Sequence, residues 1–213
     1  MDEHLLRYDE TKTYTLIDCE TENLCLNPCN NLPWQVGMIK CVGEKVQATK
    51  DFYVKWDREI NVGKEAARIT GFSKKAYEKR ALHIKEIFPT IEDWLDDCDY
   101  ILGHNILGFD IYLIKAIYEY SGKSWVHLVP KILDTNSIAR GIKNGIPFDP
   151  RDESFTEYQY KMLNKRTKGI KTNLKSLGLE YDIEHEYDKL HDAVVDLELN
   201  FKVWNKLKWQ VEI

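Results

Sequence analysis

No stretch of the 213 residues approaches the roughly 18 consecutive apolar positions that a membrane-spanning helix requires. A helical membrane protein is excluded, and no membrane partner is expected. The opening Met1-Asp2-Glu3-His4 is acidic and lacks a secretory-signal pattern. Basic excess is absent as well: 30 Lys and Arg stand against 35 Asp and Glu, a net charge of −5. A protein that coats long nucleic acid needs a broad basic footprint, so that class is disfavoured. Gripping a short nucleic-acid end stays open, because bound divalent ions would cancel local negative charge. Cysteines are few and unpatterned. Cys19, Cys25, Cys29, Cys41 and Cys98 are odd in number, and Cys25-x3-Cys29 has no later His or Cys pair to complete a zinc site. A reduced, intracellular and cytoplasmic chain is the expectation. Internal repeats, low-complexity tracts and interdomain linkers are also missing.

What is present is 43% hydrophobic and 31% charged residues, enough for one domain with a substantial core. That domain is expected over 1–213, with its core at about 13–208. Residues 13–20 read as an opening strand. Residues 35–42 and 46–56 are β-favouring runs separated by Gly43-Glu44-Lys45, a hairpin pattern. Helices are expected at 64–69, stopped by Gly71, and at 74–79, capped by Ser73. Residues 84–97 place Ile84, Ile87, Phe88, Ile91, Trp94 and Leu95 at helical spacing, with Pro89 expected to disturb the first turn. Short strands at 100–103 and 131–133 flank a helix at 109–120, and Asp134-Thr135 starts a helix to about Arg140. A short helix at 173–178 is expected to close at Gly178, and the last helix runs over 192–208. The order β-β-β-α-β-α-β-α is that of an α/β chain with a mixed sheet.

The chemistry begins at Asp18-Cys19-Glu20-Thr21. On a strand, Tyr14, Leu16, Asp18 and Glu20 share one face, and Thr15, Ile17 and Cys19 share the other. The two carboxylates then stand roughly 6.6 Å apart along the strand. Like charges that close are unfavourable in a half-buried place unless something offsets them, and a divalent cation is the natural partner. A strand end dissolving into a polar loop accounts for this stretch equally well. Further on, Asp110 falls where a strand, a turn and a helix start meet, the place where ligands gather in α/β sheets. Capping is the ordinary role for such an acid. Asp196 is flanked by apolar residues inside a helix, which is costly for a carboxylate without a partner. On a continuous helix His191 would lie about 140° from Asp196. His191 is therefore better placed just before the helix, with Asp192 near the N-cap. Four carboxylates select hard cations such as Mg2+ or Mn2+. Two such ions suit an in-line phosphoryl displacement, and His191 has the intrinsic pKa range to take a proton from water.

Three segments together resemble the DEDDh family of 3′–5′ exonucleases, also called DnaQ-like, within the ribonuclease H-like superfamily. They are Asp18-Cys19-Glu20-Thr21, His104-Asn105-Ile106-Leu107-Gly108-Phe109-Asp110 and His191-Asp192-Ala193-Val194-Val195-Asp196. The third is in the histidine form, since the tyrosine subfamily would need Tyr where Asp192 stands. Weaker echoes at Arg68-Ile69-Thr70-Gly71, Leu133-Asp134-Thr135 and Leu174-Lys175-Ser176-Leu177-Gly178 extend the resemblance over about 13–205.

The resemblance implies an α/β, ribonuclease H-like, mixed five-stranded sheet flanked by helices. It implies two Mg2+ (or Mn2+) ions, one held by Asp18, Glu20 and Asp196, the other served by Asp18 and, through water, by Asp110. His191 would be the general base. Thr21 and Asn105 would help hold the terminal nucleotide, with Phe109 near its sugar or base; Asn105 and Phe109 fit turn and core roles equally. The implied activity is removal of nucleotides from a 3′ end as nucleoside 5′-monophosphates. Single-stranded DNA is the favoured substrate and RNA stays open. A proofreading subunit with a polymerase partner and a nucleic-acid-binding module with a dead site are the rivals. The chain ends at Ile213, soon after its last helix and without an obvious docking tail, which favours a free-standing nuclease.

Two departures from the family stand out. The loop at 22–33 is long, leaving Leu24 as the nearest candidate for a base-wedging residue. The segment 141–171 is long too, and mixes Phe155, Tyr158 and Tyr160 with Lys161, Lys165, Arg166, Lys168 and Lys171. It reads as a mobile substrate lid or as a solvated insertion. The basic run Lys74, Lys75, Lys79, Arg80 reads as a solvated helix face.

Overall fold

The computed structural model describes residues 9–24 and 31–211, so the Cys25-x3-Cys29 pattern lies outside the described residues. Strands β1 (Thr13–Thr21), β2 (Pro33–Val42) and β3 (Lys45–Lys55) form the expected antiparallel meander. Gly43 turns the hairpin at φ 55°, and a Cβ there would meet the Glu10 carbonyl oxygen at 2.7 Å. Only glycine satisfies both demands. Two short helices follow, α1 (Lys64–Thr70) and α2 (Lys74–Arg80), the second capped by Ser73 as expected. Then come β4 (Leu82–His83), α3 (Ile84–Asp96), β5 (Tyr100–Gly103), α4 (Asp110–Tyr120), β6 (Ile132–Asp134) and α5 (Thr135–Lys143). The chain finishes with α6 (Phe155–Asn164), α7 (Leu174–Glu180) and α8 (Ala193–Leu207).

The sheet has six strands in the order β4-β3-β2-β1-β5-β6, not the expected five. The addition is β4, two residues lying parallel to Val54 and Lys55 of β3. Two residues are too short to leave a periodic trace in sequence. β1 is central, antiparallel to β2 and parallel to β5. Its alternation is the expected one. Ile17 and Cys19 enter a core with α3 and α4, whereas Tyr14 and Leu16 enter a second core with α5, α7 and α8. Each fully buried Leu, Ile or Phe in these cores contributes about 1.5–3 kcal/mol of transfer free energy. Asp18 and Glu20 continue the α8 face past the end of that apolar run. Among the described residues no helix is long and apolar enough to cross a membrane.

Three local expectations change. Pro89 does not disturb the first turn of α3, which runs unbroken to Asp96 behind a capping box of His83 and Glu86. Gly178 does not close a helix; it sits inside α7, where a Cβ would come within 2.5 Å of the Tyr187 hydroxyl and 2.9 Å of Leu199. That glycine serves close packing rather than a left-handed cap. The lid reading of 141–171 loses most of its aromatic part. Phe155 and Tyr158 stack on each other at 5.9 Å and both meet Phe148. Tyr158 is buried, and its hydroxyl donates to the Ile146 carbonyl at 2.7 Å. Gln159 ties α6 to β6 by donating to Ile132 O at 2.9 Å and accepting from Asp134 N at 2.6 Å. A helix anchored in this way is part of the wall; of the three aromatic residues singled out above, Tyr160 alone is exposed, together with Lys161, Lys165, Arg166, Lys168 and Lys171.

Candidate active site

The site forms where α8 begins over the end of β1. β1 pairs Asp18 with Gly37 of β2. A Cβ on Gly37 would stand 2.9 Å from the Ala193 Cβ and 3.0 Å from its backbone. The missing side chain therefore lets the first turn of α8 descend onto the sheet. Asp192 caps that turn, its carboxylate accepting from the Val194 and Val195 N–H groups at 3.1 and 3.3 Å. Asp196, one turn in, then comes down beside Asp18 and Glu20. Each of these three half-buried residues offers a carboxylate oxygen, and the three oxygens lie within 4.8 Å of one another. Such a group is able to hold a metal ion, and an all-carboxylate donor set suits a hard divalent cation.

His191 stands just outside the helix, as expected. Its backbone adopts φ 76°, and its N–H folds back to donate to Asp196 Oδ1 at 3.1 Å. A left-handed histidine is uncommon. Here the turn both anchors Asp196 and leaves the imidazole exposed at the rim. Asp110 approaches from the other side of β1, buried at the start of α4, and accepts from Cys19 N–H at 3.1 Å. It lies outside the three-carboxylate group.

Electrostatically the four acids act as one cluster. Burial pushes the Asp18 carboxyl well above the usual carboxylate range, and Asp110, Glu20 and Asp196 push it further. Glu20 rises to about 9 through burial and then through Asp196 and Asp110. Asp110 rises to about 8, again chiefly by burial, although the Cys19 and Asp110 N–H groups oppose the shift. Asp196 is raised by burial against the pull of the His191 N–H. Among the described residues no ion pair reaches any of the four. The missing positive charge is the chemical signature that a cation would satisfy.

The remaining expected residues are spread around this centre. Thr21 ends β1, buried, with its hydroxyl donating to Asn23 O at 2.6 Å. Leu24 projects from the same loop, 52% exposed. Asn105 sits at φ 64° in the turn after β5 and faces the Asp134–Asn136 region; Phe109 packs half-buried against the core. His104 is held inside by Thr135, 2.9 Å from Nδ1, and burial lowers its pKa to about 4.

Sequence reading passed over a clamp behind the first motif. Glu22, 3% exposed, receives Arg58 on both oxygens at 2.7 and 2.5 Å, Asn61 N–H at 2.6 Å and Leu32 N–H at 3.2 Å. Three segments distant in sequence are thereby tied behind Leu24. Nothing local in Glu22-Asn23 announces this, because its partners lie 10 to 39 residues away.

A family model described as exonuclease matches residues 15–204 of the chain. Among solved structures the fold is similar to E. coli Exonuclease I in complex with a dT13 oligonucleotide, at a TM-score of 0.72 and 18% identity over 94% of this chain. It is likewise similar to a zinc-bound E. coli Exonuclease I–single-stranded DNA complex (TM-score 0.72, 21% identity, 93% of this chain). A third similar structure is the Exonuclease I complex with SSB-Ct (TM-score 0.71, 20% identity, 94% of this chain). The chain matches only 41–42% of the length of these Exonuclease I chains. No curated protein matches the chain in sequence.

Proposed function

The chain belongs to the exonuclease family, the one its three motifs resemble, and we propose that it is a metal-dependent enzyme that shortens single-stranded DNA from the 3′ end. The observation that carries the mechanism is the convergence of Asp18, Glu20 and Asp196 beneath the exposed His191. Asp18, Glu20 and Asp196 would hold one Mg2+ or Mn2+, and Asp18 with Asp110 would serve a second. When bound, such ions supply Lewis-acid polarisation of the phosphodiester and activation of water. His191 takes the proton of the attacking water as its oxygen bonds to the terminal phosphorus. The bond from that phosphorus to the 3′-oxygen of the penultimate nucleotide breaks. The departing oxygen is protonated by solvent, which leaves a nucleoside 5′-monophosphate and a new 3′-hydroxyl. Leu24, exposed in the loop beside Glu20, would meet the terminal nucleotide, with buried Thr21 bracing that loop through Asn23. Similarity to Exonuclease I bound to dT13 supports single-stranded DNA as substrate.

Incubating a 5′-labelled single-stranded oligonucleotide with Mg2+ or Mn2+ tests the reading. The expected product is a ladder shortened one nucleotide at a time from the 3′ end, faster on DNA than on RNA. Internal cuts, or a full-length band that persists in both metals, would overturn it. His191→Ala should lower turnover by about 10²–10⁴-fold while leaving oligonucleotide binding in place.

A further inference from the structure

The basic run on α2 reads in sequence as a solvated face, yet its last residue is fixed in place. The Arg80 guanidinium carbon lies 3.9 Å from the centroid of the Tyr53 ring on β3. Its nitrogen donates to Asp51 at 2.6 Å. Beneath it, Tyr53 lies near-parallel on buried Trp34, centroids 5.5 Å apart at 30°. Phe72 closes the edge of Trp34 at 4.9 Å. A lone surface Arg–carboxylate pair gains little and costs rotamer freedom, so the stack below is what keeps this side chain ordered. The guanidinium side chain remains 48% exposed.

Strand register locates this layered stack. Glu20, Gln35 and Tyr53 are lateral neighbours across β1, β2 and β3. At about 4.8 Å per strand, Tyr53 stands roughly 10 Å from Glu20 on the same face of the sheet. Gln35, buried between them, donates to Asp51 at 2.8 Å and so braces the carboxylate that aligns Arg80.

We propose that the Arg80–Tyr53 stack is a base-stacking subsite for an internal nucleotide of a single strand, just 5′ of the terminal one. The proposal rests on the nuclease reading above and adds where the strand lies. Guanidinium planes and aromatic faces stack unpaired bases with little regard to sequence. Asp51 neutralises Arg80, so its part is the plane it offers a base. The strand's phosphates are left to exposed Lys75 and Lys79, which carry no ion pair among the described residues.

The test is equilibrium binding of a fluorescent hexathymidylate to the full chain in EDTA. Arg80→Ala should raise Kd about tenfold or more, the scale of one lost base stack. Arg80→Lys, which keeps the charge and loses the plane, should do the same. In the wild-type protein, removing one base at a single position near the 3′ end should weaken binding by a similar factor. In Arg80→Ala that removal should add nothing. A Kd within twofold of wild type for Arg80→Ala, full binding by Arg80→Lys, or an abasic scan with no sensitive internal position each overturns the subsite. Hydrolysis of thymidine 5′-(4-nitrophenyl phosphate) with Mn2+ reports separately on the nuclease centre. That substrate is too short to reach the stack, so wild type and Arg80→Ala should cleave it equally. Its failure in both proteins would count against the nuclease reading while leaving the binding data to judge the subsite.

Discussion

Asp18 and Asp134 are both acids at the ends of parallel-paired strands, and the protein treats them in opposite ways. Asp134, fully buried, accepts four backbone N–H groups: Asn105, Asn136 and Ser137 on one oxygen and Leu107 on the other, at 3.0–3.2 Å. Burial still raises its pKa to about 6, but those four donors hold the shift down. Asp18 and Glu20 receive no N–H or O–H among the described residues, and their neighbours are further carboxylates. A buried acid supplied with donors is architecture; it organises the turn after β5 and the start of α5. Buried acids left without donors and set facing one another are costly in isolation, and that cost is what a bound cation would relieve.

The sharpest way to break this comparison is to remove one charge from each site. Under the proposed mechanism, Asp18→Asn should reduce metal-dependent cleavage by more than about a thousandfold, since it would remove a carboxylate from the set that would hold the ion. The same change should raise the melting temperature of the metal-free protein, because it relieves repulsion in the cluster. Retained cleavage, or a lower melting temperature in EDTA, would contradict the contrast. Asp134→Asn should do the reverse. Its amide cannot accept on both sides, so the Leu107 N–H would face an NH2 group. The expected loss is about 1–3 kcal/mol in urea unfolding, with cleavage persisting in the folded fraction.

A smaller effect separates the two sites by pH. In the unfolded chain the cluster acids lose their protons near 4, whereas folded Asp110 and Glu20 keep theirs to about 8 and about 9. Between those values the unfolded state binds fewer protons, so stability of the metal-free protein falls as pH rises. A divalent ion competes with those protons. Its stabilisation should therefore be larger near pH 8 than near pH 6, read as the difference in melting temperature with and without EDTA. A metal increment that shrinks with rising pH would argue against a cation at this site.

Much of the fold was legible because period and punctuation are local. The alternation in β1, the helical stripe from Ile84 to Leu95 and the caps at Ser73, Asp134 and Asp192 all appear where the residues place them. β4 was not legible, being two residues whose pairing is set by β3. Gly178 misled because a glycine near a helix end ordinarily marks a cap, and only the Tyr187 and Leu199 contacts reveal its packing role. Phe155 and Tyr158 misled for a related reason: an aromatic in a charged segment looks available until its neighbours, here Phe148 and the Ile146 carbonyl, are known.

By itself the sequence singled out the candidate acids and determined on which face of β1 two of them stand. Side-chain type and the two-residue strand period are properties of the chain alone. Only the tertiary structure decided which acids are satisfied. Asp134 and Asp110 both stand beside helix starts in the sequence, and their difference lies in how many donors reach them: Asp134 accepts four backbone N–H groups, whereas Cys19 N–H is the one distant donor to Asp110 among the described residues. Asn105 and Leu107 reach Asp134 across 29 and 27 residues, and Asp196 reaches β1 because Gly37 has no side chain to hold α8 away. Desolvation and hydrogen bonding depend on what surrounds a group in space, and no spacing along the chain encodes that directly.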